Sequence, residues 1–102
     1  MDLYERSHAA INDWEKIVEY TLDRYGIDQT EKYMKGLINC IEALAASKGY
    51  FKEVKIKGRI VLIKHCQKHY IFGLVRRSKP LMIIAFLHER MDLITRLKRR
   101  LQ

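Results

Sequence analysis

Three histidines fall in the second half of the chain: His65 beside Cys66, then His69, and further on His88. Imidazole titrates near neutrality and also ligates metals, so such residues suit acid–base chemistry or an ion site. As zinc ligands, His65, Cys66, His69 and His88 would have to converge in a tetrahedron. His65 and His69 flank a turn instead of standing four apart on a helix, and their spacing matches no zinc pattern. No metal and no cofactor is therefore expected. RNA cleavage by its own 2′-hydroxyl is a second possibility, and it needs a base, an acid and cations around the phosphate. His65, His69 and His88 are acid–base candidates, and Arg59, Lys64, Arg76 and Arg77 could neutralise charge. No carboxylate is placed as a base between residues 54 and 88, and a solvated basic face explains the same cluster without catalysis.

The elements that must carry these residues follow from periodicity. Leu81–Leu87 is an uncharged apolar run after Pro80, which predicts a strand buried on both faces. From Met91 the apolar residues Met91, Ile94, Leu97 and Leu101 take helical spacing, so a polar corner at His88 leads into a terminal helix. Upstream, Arg59–His65 and Tyr70–Val75 predict two more strands, which with Leu81–Leu87 form an antiparallel meander. Tyr50–Gly58 reads as strand or loop.

The first half is helical. Ser7 caps a helix whose stripe is Ile11, Trp14, Val18, Leu22 and Tyr25, and Gly26 stops it. Asp28–Glu31 has capping-box form and opens a second helix with Met34, Leu37, Ile38, Ile41 and Leu44 on one face. So short a link predicts an antiparallel helical hairpin. Asp2–Arg6 reads as a short edge strand. The expected fold class is α+β: a helical hairpin packed on a small antiparallel sheet, in the order β-α-α-β-β-β-α, with a basic C-terminal helix.

At 102 residues the chain makes one domain. No apolar run reaches membrane-spanning length, and Met1–Arg6 has no signal-peptide pattern. A cytoplasmic location follows, and there Cys40 and Cys66 are expected as free thiols. Charge is uneven. Residues 1–50 hold six Lys/Arg against nine Asp/Glu, whereas residues 51–102 hold fourteen against three. The basic half should face an anionic partner. Arg90, Arg96, Lys98, Arg99 and Arg100 crowd the terminal helix, beyond what its dipole requires. No helix-turn-helix pattern accompanies them, which disfavours a sequence-specific regulator.

Phe86–Leu97, reading FLHERMDLITRL, resembles the closing segment of ParE toxins. Cys66-x-x-His69-Tyr70-Ile71-Phe72 resembles their second-strand entry, and Glu19-Tyr20-Thr21, Tyr25-Gly26 and Phe51-Lys52-Glu53 match in the same order. The resemblance covers nearly the whole chain. It implies a RelE/ParE-like fold and a type II toxin–antitoxin toxin that poisons DNA gyrase without catalysis of its own. It also implies neutralisation by a ParD-type antitoxin with an acidic–hydrophobic segment, in a hetero-oligomeric complex. The gyrase contacts expected on this basis are His88, Arg90, Asp92, Arg96, Arg99 and Arg100. The expected antitoxin contacts are Trp14, Leu22, Leu37, Ile41, Val61 and Ile63. The alternative is a RelE-like, ribosome-dependent mRNA endonuclease using His88, Arg59 and Arg76. The absence of any tyrosine after Tyr70 weakens it, because such nucleases draw a catalytic tyrosine from their tail.

Overall fold

The computed structural model describes residues 3–102. The predicted strand at Asp2–Arg6 is present as β1 (Tyr4–Arg6), with Asp2 outside the described residues. A long helical element, α1 (His8–Ala45), follows. The meander has four strands: β2 (Lys52–Ile56), β3 (Arg59–Cys66), β4 (His69–Leu74) and β5 (Leu81–His88). Helix α2 (Leu93–Arg100) closes the chain. The sheet order is β1-β5-β4-β3-β2, with β1 parallel to β5 and the other pairs antiparallel. The ambiguous stretch before Gly58 is thus a fourth meander strand. Lys57 and Gly58 both take positive φ, as a two-residue hairpin turn of type I′ requires.

α1 is a hairpin of two arms. Thirty-eight residues of straight helix would run about 57 Å, but the molecule is 41 Å along its longest axis. The reversal is concentrated at Gly26, at φ 83° and ψ 179°, a conformation L side chains rarely adopt. Open space surrounds the position of a Cβ there, so glycine is required by torsion and not by crowding. Asp28 lies within the resumed helix, so it is not the cap predicted for it; one glycine makes the whole turn. Ser7 does cap the first arm, its Oγ accepting from the Ala10 N–H at 3.1 Å.

The sheet is covered on both faces. Toward α1, Leu62, Ile71, Ile83 and Phe86 pack against Ala10, Ile17, Leu37, Ile41 and Leu44. Trp14 meets Phe86 edge-on, with ring centroids 5.4 Å apart. On the other face Val61, Phe72, Leu74, Ala85 and Leu87 pack with Leu97 and Leu101 of α2. The predicted double burial of β5 therefore holds, with Phe86 under one layer and Leu87 under the other. The pairing of β5 with β4 slips at Phe72/Gly73, where Ile84 is the extra residue.

Two expectations are corrected. Cys40 and Cys66 are joined in a disulfide that ties the second arm of α1 to the end of β3. Their Cα atoms lie 6.3 Å apart, within bridging range. Sequence showed no adjacency, because they stand 26 positions apart and only the packing of arm on sheet brings them together. The buried face of α2 is also rotated from the one predicted. Asp92 caps the helix, its carboxylate accepting from the Thr95 N–H and hydroxyl. Met91 therefore precedes the helix, and both Met91 (42%) and Ile94 (66%) are exposed. Leu93, Leu97 and Leu101 make the contact instead.

Candidate functional site

The β3–β4 turn and the end of β5 bring the polar residues to one end of the sheet. Register pairs His69 with both Cys66 and His88, so the two histidines stand side by side on neighbouring strands. Their ring centroids are 5.3 Å apart at 82°. Tyr33, on the second arm of α1, locks this corner. Its hydroxyl lies 2.6 Å from His69 Nδ1 and accepts from the Lys68 N–H, and its carbonyl accepts from the Gln67 side chain. The hydroxyl and His69 Nδ1 share one proton between them. Burial first, and His88 second, push the His69 pKa down to about 4, so the ring is neutral at physiological pH. Burial likewise raises the Tyr33 phenol. His88 Nδ1 accepts from the Arg90 N–H at 3.1 Å, which leaves Nε2 as its donor.

His65 lies on the opposite face of the sheet. It stacks on Tyr70 at 4.6 Å and pairs with Glu89 at 2.8 Å. That hydrogen bond lowers the Glu89 pKa. His65, His69 and His88 therefore do not converge on one point. Cys66 is bonded to Cys40, and among the described residues no three His, Cys, Asp or Glu side chains cluster as a metal site requires.

The nuclease set is not assembled either. Val61 pairs with Leu74, so Arg59 and Arg76 stand at the far end of β4 from His88. Six extended residues, about 20 Å, intervene. Arg76 is engaged there with Glu5 and the Pro80 carbonyl.

A second constellation joins α1, β5 and α2. β1 stops at Arg6, leaving part of the β5 edge unpaired. Asp13 accepts the Phe86 N–H at 3.0 Å, and Arg100 donates to the Ile84 carbonyl at the bulge. The two side chains then meet each other through a two-bonded pair at 2.7 and 2.8 Å. The Arg100 pKa is raised by Asp13. Arg100, expected to project into water and contact gyrase, is thus a structural clasp with its head group occupied. Asp13 lies off the apolar stripe of its helix, among charged residues, and its position in the sequence gives no sign of this role. Tyr33 carried no signal either, lying beside the apolar stripe.

Of the other expected gyrase contacts, Arg90, Arg96 and Arg99 are exposed, His88 is half-buried, and Asp92 is the α2 cap. Among the described residues no ion pair involves Arg90, Arg96 or Arg99. Of the expected antitoxin contacts, Leu37, Ile41 and Val61 are sealed in the core and offer a partner no surface. Leu22 is exposed, and Trp14 and Ile63 are partly so.

A kinked helical hairpin on one face of a small sheet, with a short basic helix on the other, defines an α+β toxin fold of the RelE/ParE kind. The family described as ParE toxin of type II toxin–antitoxin system, parDE, matches residues 4–93. A protein of Escherichia coli named Toxin ParE is 37% identical over 102 residues, spanning all of this chain and 99% of the relative. The chain belongs to the ParE toxin family of type II toxin–antitoxin systems.

Proposed function

We propose that this toxin acts in the cytoplasm by poisoning DNA gyrase and blocking replication, and that a ParD-type antitoxin neutralises it. The observation that carries the reading is the outer face of α2 and its approach. Arg90, Arg96 and Arg99 are exposed beside Met91 and Ile94, which are also exposed. Exposed charges add little to folding, and apolar side chains in water add nothing, so this face is better explained by a partner. Cations around an apolar centre suit docking on an enzyme that holds DNA. The antitoxin's acidic–hydrophobic segment would lie along the exposed apolar line of the α1 hairpin, at Leu22 and Ile38, with Trp14 at its margin. The mRNA endonuclease reading is disfavoured because Arg59 and Arg76 stand at the opposite end of the sheet from His88. The test is purified gyrase supercoiling with and without the protein. Loss of supercoiling with accumulation of linear DNA is expected. Undisturbed supercoiling, together with translation arrest and cut mRNA in cells, would reject the reading.

A further inference from the structure

A groove of about 780 Å³ runs between the two arms of α1, the end of β5 and α2. Its chemistry is one-sided. Lys16, Lys32, Lys68 and Arg96 line it, and among the described residues none of them is in an ion pair. Asp13 is the acidic residue lining it, and Arg100 neutralises that carboxylate. Besides Tyr33, two exposed tyrosines stand on the wall, Tyr20 (58% exposed) and Tyr25 (55%). The Arg24 guanidinium lies over the Tyr20 ring at 5.4 Å, extending that flat surface. His69 and His88 complete the lining; Nδ1 of each is already hydrogen-bonded, and His88, accepting there from Arg90, is left its Nε2–H to donate.

We propose that this groove is a binding site for single-stranded nucleic acid, independent of any enzyme target. Unpaired cations along a channel track a phosphate backbone, and exposed aromatic faces stack bases without regard to sequence. An imidazole N–H is a further donor to phosphate oxygens. A duplex offers no unstacked base to Tyr20 or Tyr25, so the selectivity is for single strands. An amphipathic acidic peptide suits the groove less well. Apart from Met91, its exposed apolar surface is aromatic, and Ile17, Phe86 and Leu87 alongside are buried.

The test is fluorescence anisotropy of the full chain with labelled dT15 and U15 at several salt concentrations, without gyrase. Saturable binding is expected, with log affinity falling against log salt at a slope near −3, as four phosphate contacts give for a single strand. DNA and RNA arms of equal strength identify a backbone-and-base reader, and a preference for one names the natural strand. Tyr20→Ala with Tyr25→Ala should weaken binding at least fivefold. Lys32→Gln with Lys68→Gln should lessen the slope by about 1.4. Arg77→Gln with Lys79→Gln, at the other end of the sheet, should leave binding unchanged. Circular dichroism confirms that each variant folds. No saturable binding at low salt would overturn the proposal. So would equal affinity for duplex, an equal loss in the Arg77/Lys79 variant, or displacement by polyglutamate as readily as by unlabelled dT15.

Discussion

Acidification from pH 7 to pH 5 should destabilise this protein through His69, and the size of the effect follows from the Tyr33 corner. In the unfolded chain the imidazole titrates at 6.5, whereas burial and the neighbouring His88 hold it at about 4 in the folded state. The unfolded state therefore binds the extra proton between those values, and stability falls as pH falls through that window. The contribution is intact above pH 6.5. About 2 kcal/mol is lost at pH 5, approaching about 3 kcal/mol below pH 4. Against a small domain's total of roughly 5–15 kcal/mol this is a large share. The carboxylates with lowered pKa, Glu5, Glu89 and Asp92, contribute stability that is lost only at lower pH, and comparison with a variant lacking the ring isolates His69. Urea unfolding of the wild type and of His69→Gln, at half-unit steps between pH 7 and 5, measures it. The wild type should lose about 2 kcal/mol, and the variant should show a much flatter profile. Equal pH dependence in the two proteins would refute the assignment, as would a histidine resonance titrating near 6.5 at position 69.

Other outcomes are equally specific. Phe86→Ala should cost about 3–5 kcal/mol in unfolding free energy, since the ring is buried against Trp14 under the first arm. Arg100→Gln should cost about 3 kcal/mol, because Asp13 and the Ile84 carbonyl lose their partner. Arg96→Gln with Arg99→Gln should leave the melting temperature nearly unchanged while sharply reducing gyrase inhibition. Opening Cys40–Cys66 with a reductant should lower stability by about 3.5 kcal/mol from loop entropy, with both thiols becoming alkylatable by mass spectrometry. Raising salt should slow antitoxin association more than it speeds release, as surface plasmon resonance would show.

Elements with a strong period were legible in the sequence. Leu81–Leu87, short, uncharged and bounded by Pro80, reads as a doubly buried strand, and the cap at Ser7 and the break at Gly26 are local chemistry that needs no tertiary context. Contacts made across the fold were not. Asp13 on a helix of otherwise solvated charges looks like one more exposed acid until β1 ends early and leaves the Phe86 N–H to be satisfied. Cys40 and Cys66 read as separate thiols because their meeting depends on how the second arm lies on β3. The histidines stand out in the sequence as the reactive group, but their arrangement does not. Strand alternation puts His69 and His88 on one face and His65 on the other, and a two-residue turn at Gln67–Lys68 decides which.

The terminal helix shows why charge counts mislead when the phase of a helix is off by one residue. Placing its start at Met91 makes Ile94 an anchor and turns all the arginines outward. Placing it after Asp92, where the carboxylate caps it, turns Leu93, Leu97 and Leu101 inward and carries Arg100 to the rim of the β5 bulge. One arginine then stabilises the fold while Arg96 and Arg99 remain in water. A substitution that removes all three at once would confuse unfolding with loss of function. The same phase exposes Ile94 and puts an aliphatic side chain among cations, where solvent alone would favour a polar residue. That mismatch between residue type and environment is the physical reason to look for a partner on this face.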